Sequence, residues 1–178
     1  MKLVILDRDG VINRDSDAFV KTPDEWIALP GSLHAIARLS QAGWTVVVAT
    51  NQSGLARGLF DVAALNAIHA KLHHEVAQAG GVVDAIFLCP HGPDEGCACR
   101  KPLPGMYHDI ARRYDAGLAG VPALGDSLRD LQAAAAAGCA PWLALTGNGQ
   151  QTRDKGGLPP GTQVCADLAA FADALLED

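Results

Sequence analysis

Apolar positions come in short runs separated by longer amphipathic stretches. Residues 2–6 (KLVIL), 44–49 (WTVVVA), 82–89 (VVDAIFLC), 121–125 (VPALG) and 141–146 (PWLALT) are mostly apolar without regular alternation, as expected of strands covered on both faces. Between them, residues 32–42, 61–79, 104–115 and 127–137 read as helices, and a last helix is expected over 167–177. The helix ends carry boundary signals. Ser32 and Asp61 stand where N-caps belong, Pro104 suits a first turn, and Gly43, Gly80 and Gly138 stand where helices stop.

This alternation of strand and helix predicts an α/β fold: a three-layer, Rossmann-like parallel sheet with helices on both faces. A chain of 178 residues suits one domain spanning 1–178 rather than two. Three stretches fall outside the scheme. Residues 10–30 have mixed polarity, 90–103 are dense in Pro, Gly, Cys and His, and 147–161 are rich in Gly and Gln. Each begins at the carboxyl end of a strand, where open parallel sheets gather their active groups.

With 49% apolar and 19% charged residues, the composition is that of a folded protein. A net charge of −6 without any run of Lys or Arg argues against nucleic acid or an anionic membrane as partner. No apolar run is long enough to span a bilayer, and the first runs straight into Asp-Arg-Asp, unlike a signal peptide. A cytoplasmic, reducing setting is expected, where cysteines serve as thiols or metal ligands rather than disulfides. No large apolar face is left over, so the chain is expected to be a monomer.

The candidate chemistry lies at the strand ends. Asp7 and Asp9, two apart at the close of the first strand, point the same way if the extended geometry persists. Alone, Asp-Gly there is equally well an ordinary turn. The next strands, however, end in Thr50-Asn51-Gln52-Ser53-Gly54, in Arg100-Lys101-Pro102 and in Gly125-Asp126-Ser127-Leu128-Arg129-Asp130. Carboxylate, hydroxyl, lysine and carboxylate are the parts that phosphoryl transfer needs. Asp130 fits either a metal-site role or a polar place in the first turn of its helix.

Residues 89–99 (CPHGPDEGCAC) add Cys89, His91, Cys97 and Cys99. Three thiolates and an imidazole suit tetrahedral Zn²⁺ with no open position, hence a structural zinc loop over 89–101. A disulfide within the loop would leave the histidine unexplained. Cys139 and Cys165 have apolar neighbours and read as core residues.

In order, DRDG, TNQSG, RKP and GDSLRD resemble the four motifs of the haloacid dehalogenase (HAD) superfamily of phosphatases. The resemblance implies Asp7 as nucleophile and Asp9 as proton donor. It implies Thr50 and Lys101 as stabilisers of the phosphoryl oxygens. Mg²⁺ would be held by the Asp7 and Asp126 side chains and the Asp9 main-chain carbonyl. The intervals leave no room for a folded cap, so a capless member is expected, covered only by a flap over 10–30 and by the zinc loop.

Within that superfamily the chain resembles the heptose 1,7-bisphosphate 7-phosphatases of nucleotide-heptose and lipopolysaccharide synthesis, with a lean to the β-anomer. That resemblance implies a phosphorylated sugar substrate lined by Asp15, Ser16, Asp17 and Ala18 and by Asn51, Gln52 and Ser53. Arg100 would face its second phosphate, and Arg57 is a further candidate for it. The histidinol-phosphate phosphatases are similar but resemble TNQDGLGT where this chain reads TNQSGLARG. Ser53 and Arg57 therefore favour the bisphosphate. Two departures touch the substrate contacts: Ser127 stands where many heptose enzymes have lysine, and Asp15–Val20 replaces a Gly-Tyr-Val flap. A non-catalytic zinc-stabilised binding protein would explain the loop but not the intact catalytic set.

Overall fold

Strands β1 (Leu3–Leu6), β2 (Thr45–Asn51), β3 (Ala85–Cys89), β4 (Pro122–Gly125), β5 (Ala140–Ala144) and β6 (Gln163–Cys165) form one sheet in the computed structural model, which describes residues 1–177. Asp178, the last residue of the expected domain, lies outside the described residues. All pairings are parallel, in the order β3-β2-β1-β4-β5-β6. Strand order reverses between β1 and β4, as required for a site at the switch point.

Period-two geometry explains why the strand sequences do not alternate in polarity. Val4, Leu6, Val46 and Val48 pack on one face, against helices α1 (Ser32–Gln41), α2 (Val62–Gln78) and α6 (Leu168–Leu176). Leu3, Ile5, Val47 and Ala49 pack on the other, against α3 (Gly105–Tyr114) and α4 (Leu128–Ala136). Both faces need apolar side chains, so the three layers follow from the sequence pattern. Among the described residues no helix is long and apolar enough to cross a membrane.

Residues 147–161, expected to be irregular, instead contain a short helix, α5 (Gly149–Lys155), and a sixth strand follows it. GQQTRDK has no apolar stripe to betray a helix. β6 is an edge strand with two of three residues exposed, so it needs no apolar run. Ser32 is not a cap. Gly31, at φ +78°, holds that place, and the Ser32 hydroxyl donates to Ile12 O at 2.7 Å and Leu29 O at 2.9 Å. Those bonds tie the return of the flap to the helix. Asp61 does cap α2, accepting from Ala64 N at 2.8 Å.

The flap is anchored at both ends. Val11, Ile12 and Trp26 are enclosed in the core, and Lys71 of α2 donates to Pro23 O and Trp26 O, both at 2.8 Å. Its tip, Arg14 to Ala18, is a continuous exposed stretch.

Candidate active site

The register of the central strands assembles the site. Leu6 of β1 pairs with Leu124 of β4, and Asp7 N donates to Leu124 O at 2.9 Å. Asp7, one residue past Leu6, and Asp126, two past Leu124, therefore leave adjacent strands at the same edge of the sheet. Gly10 turns the chain back at φ +84°, and a Cβ there would collide with the Asp126 carboxylate. Glycine after the second aspartate is thus a steric demand of the site as well as of the turn.

Lys101 crosses beneath these carboxylates, almost fully enclosed. Its ammonium donates to Asp7 Oδ1 at 3.0 Å and Ala49 O at 2.8 Å, and lies 2.7 Å from Asp130 Oδ1. Burial works against that charge, but Asp130 and Asp7 outweigh it and hold the lysine protonated. Asp130 is held below the usual carboxylate range, because Lys101 and the Ser127 hydrogen bonds overcome its burial. Its Oδ2 accepts from Ser127 N at 3.0 Å and Ser127 Oγ at 2.6 Å, which caps α4. Asp130 thus fills the first-turn role and also pairs with the lysine.

Asp7 and Asp126 behave differently. Burial, with the charge of Asp130, pushes Asp7 up to about 7, despite Lys101. Burial, with the charges of Asp7 and Asp130, pushes Asp126 up to about 8. Oxygens of all three lie within 4.8 Å of one another, and one lysine does not balance them. The donor set therefore fits a hard divalent cation taking carboxylate oxygens. Asp130, already engaged by Lys101 and Ser127, leaves Asp7 and Asp126 as the side chains to hold it.

The Asp9 side chain points elsewhere. Its oxygens accept from Arg8 Nε at 2.9 Å and Nη2 at 3.0 Å, from Asn13 Nδ2 at 2.9 Å and from Gln52 Nε2 at 3.0 Å. Only its main-chain carbonyl is left for a metal. Gln52 also donates to the buried Thr50 hydroxyl at 2.9 Å, bridging two candidate catalytic residues. Asn51 clamps the Lys101 backbone at both ends, donating to its O and accepting from its N, each at 3.1 Å.

A cavity of about 310 Å³ opens above these groups, large enough for a sugar phosphate. Asp15, Ser16, Asp17, Asn51, Gln52, Ser53, Arg57 and Arg100 all line it, while Ala18 does not. Phe19, at φ 65°, lines the wall beside the tip, and the Arg57 guanidinium stands 5.6 Å from its ring centroid. Arg100 donates to His91 O at 3.3 Å. Two lining residues, Arg129 and Asn148, escaped the sequence reading. Asn148 donates from its main chain to Asp126 Oδ2 at 2.8 Å and from its side chain to Asp15 Oδ2 at 3.0 Å. Its signal was positional: it follows the end of β5, as the other site segments follow theirs.

The cysteine loop closes on itself beside the site. Cys89 Sγ is 3.5 Å from His91 Nδ1, 3.7 Å from Cys97 Sγ and 3.1 Å from Cys99 Sγ; His91 Nδ1 is 3.3 Å from Cys99 Sγ. Tetrahedral zinc with Zn–S of about 2.3 Å separates its ligands by roughly 3.5–3.8 Å. Two of the separations fall in that range and the two to Cys99 are shorter by 0.2–0.4 Å, so the four donors converge on one point as a zinc ligand set does. All four are unbridged thiols or imidazole, and Cys139 and Cys165 lie apart, on opposite faces of the sheet. Gly105 lets α3 start against this loop, since a Cβ there would collide with Ala98 O.

A parallel sheet with paired aspartates, threonine and lysine at its switch point defines a HAD-like phosphohydrolase. The family models agree: a polynucleotide kinase 3 phosphatase model matches residues 2–123, and a HAD-hydrolase-like model matches 98–171. A Bordetella bronchiseptica relative named D-glycero-β-D-manno-heptose-1,7-bisphosphate 7-phosphatase is 79% identical over 178 residues, covering 100% of this chain and 99% of its own. A Pseudomonas aeruginosa protein of the same name is 59% identical over 175 residues, covering 98% of each. The crystal structure of the D,D-heptose 1,7-bisphosphate phosphatase of B. bronchiseptica, complexed with magnesium and phosphate, superposes with a TM-score of 0.99 at 79% identity, covering 99% of both chains. Its Burkholderia thailandensis counterpart gives 0.81 at 53% identity, covering 100% of both. The chain belongs to the D-glycero-β-D-manno-heptose-1,7-bisphosphate 7-phosphatase family of HAD-like hydrolases.

Proposed function

We propose that this protein hydrolyses the 7-phosphate of D-glycero-β-D-manno-heptose 1,7-bisphosphate, giving the heptose 1-phosphate and inorganic phosphate. One observation carries the reading: the five expected catalytic and metal-binding residues line one cavity in a chain 79% identical, end to end, to a phosphatase of that name.

In the first half-reaction an Asp7 oxygen bonds to phosphorus as the bond from phosphorus to the sugar O7 breaks. Asp9 gives its proton to that departing oxygen. Both Asp9 oxygens already accept hydrogen bonds, so taking up that proton displaces one donor; Gln52, which also bonds Thr50, can turn away. In the second half-reaction water attacks the phosphorus of the aspartyl-phosphate, Asp9 takes its proton, and phosphate leaves with the oxygen of water. Lys101 and Thr50 meet the phosphoryl oxygens in both steps.

The Asp7 and Asp126 side chains and the Asp9 carbonyl would hold Mg²⁺, which when bound supplies the positive charge that keeps Asp7 ionised and screens the phosphoryl group. Cys89, His91, Cys97 and Cys99 would hold a structural Zn²⁺. Arg57 and Arg100 suit the 1-phosphate, and the flap tip from Asp15 to Ala18, with Asn51, Gln52 and Ser53, the sugar. The chain works as one capless domain, with flap 10–30 and zinc loop 89–101, as a cytoplasmic monomer without nucleic-acid or membrane partner; the net charge of −6 supports the last of these.

Phosphate release is to be measured side by side on the β-anomer, the α-anomer and histidinol phosphate, with and without Mg²⁺. The β-bisphosphate should be the best substrate, and Asp7→Asn should abolish turnover. Faster release from histidinol phosphate would overturn the substrate, and Mg²⁺-independent release the mechanism.

A further inference from the structure

His69 stands in the middle of α2, only 9% exposed, and no step above employs it. Its Nε2 lies 3.0 Å from Arg8 Nη1. A guanidinium has donors only, so the imidazole accepts through Nε2 and carries its proton on Nδ1. Burial, then the charge of Arg8, pushes the His69 imidazole down to about 4. The ring is therefore neutral under working conditions, and its accepting lone pair stays available.

Arg8 itself is wholly enclosed. Its opposite edge forks onto Asp9, with Nε 2.9 Å from Oδ1 and Nη2 3.0 Å from Oδ2. Imidazole, guanidinium and carboxylate thus form one relay of hydrogen bonds from a long helix to the floor of the cavity. Held at one edge alone, the guanidinium could pivot together with the carboxylate it grips. Pinned at Nη1 by a residue of α2, it cannot. The other two donors on Asp9, Asn13 and Gln52, come from the flap and the end of β2. The anchor in the packed helix layer is His69.

We propose that His69 is a positioning residue for proton transfer by Asp9, acting through Arg8 to fix the plane of the Asp9 carboxylate. The inference rests on the reading of Asp9 as the acid–base group. Small errors of placement matter here, since a misplacement of about 1 Å can cost about 10²-fold in rate.

The leaving group separates positioning from general stability. A sugar alkoxide needs a proton as it departs, whereas p-nitrophenolate does not. First-turnover rates are to be measured with enzyme in excess on the heptose bisphosphate and on p-nitrophenyl phosphate. His69→Leu should slow the first by about 10- to 100-fold, a share of the 10²–10⁴ usual for general acid catalysis. It should slow the second by less than about threefold. His69→Gln, whose amide oxygen reaches the place of Nε2, should restore the bisphosphate rate.

Equal slowing of both esters, no slowing, or no rescue by His69→Gln would each overturn the inference. Where His69→Leu does not fold by circular dichroism, His69→Asn, polar but too short to reach Arg8, replaces it with the same expectation. Asp9→Asn, run in parallel, should show the same selectivity in stronger form. If it slows both esters alike, the reading of Asp9 fails. If it is selective while the His69 variants are not, the role of His69 alone fails.

Discussion

The Lys101 ammonium and the Asp130 carboxylate meet at 2.7 Å, and their side chains are only 2% and 3% exposed. An enclosed ion pair is costly to break from one side, because the remaining charge stays buried with too little to balance it. Asp130→Ala leaves the ammonium only Asp7 and Ala49 O, so it should cost about 3 kcal/mol, the low end for a broken enclosed pair, and the lost α4 cap about 1 kcal/mol more. At roughly 2–4 °C per kcal/mol for a chain of this size, the unfolding midpoint should drop on the order of 10 °C or more. Asp130→Asn keeps an acceptor for Ser127 and should lose less stability, while its kcat still falls because Lys101 loses one of the two carboxylates that fix it. Thermal unfolding and steady-state kinetics on the two variants check this. Equal stability of Asp130→Ala and wild type would refute it.

Asn51 lines the cavity, yet both ends of its amide are spent on the Lys101 backbone. A sugar contact and a backbone clamp predict different kinetics. Loss of a contact made equally in ground and transition states raises KM, whereas loss of the clamp lets the lysine drift and lowers kcat. Asn51→Ala should lower kcat by about 10- to 100-fold, the range expected for an ångström-scale displacement, with KM little changed. A raised KM at constant kcat would return Asn51 to the substrate contacts.

The convergence of the proposed catalytic residues was legible because they sit on strand ends, which apolar runs mark. Asp7, Thr50, Lys101 and Asp126 each follow a run that reads as a strand, and one topological rule brings them together. The partners of the side chains were not legible. Nothing in the spacing says that Arg8 turns inward to fork Asp9, or that His69 meets it from a helix 61 residues away. Asn51 and Gln52 are expected as substrate contacts from the family resemblance; only the folded structure shows whom their amides serve. The sixth strand and α5 were invisible for another reason. Apolar periodicity reports burial, and an edge strand with two exposed residues out of three has almost none.

The zinc loop offers a third test. Cys99 and Lys101 are separated by one residue, so the candidate zinc ligands and the ammonium proposed for catalysis share a short, weakly apolar segment whose order would come from the metal. Purified protein should carry one zinc per chain by elemental analysis. Cys99→Ser should lose zinc, thermal stability and turnover together, and Mg²⁺ alone should not restore turnover. A zinc-free Cys99→Ser enzyme at full activity would separate the loop from catalysis.

The raised carboxyls at the floor of the site make stability without magnesium depend on pH in a definite direction. Asp7 and Asp126 stand at about 7 and about 8, against an ordinary 3.8. The native state therefore binds protons more tightly there than the unfolded chain. That contribution is fully present below about pH 4, where both states are protonated. It is lost as pH rises through 7 and 8, where the native state must ionise two crowded, enclosed carboxyls. Protein freed of Mg²⁺ but retaining zinc should thus lose unfolding temperature between pH 5 and 8.5. Added Mg²⁺ should raise that temperature most at the alkaline end, because it binds the ionised pair. Asp126→Asn removes one member of the pair, so both the slope and the Mg²⁺ effect should shrink. Thermal unfolding across that range, with and without millimolar Mg²⁺, checks the sign. A metal-free enzyme that gains stability toward pH 8 would show that the two carboxyls do not crowd each other as their burial implies.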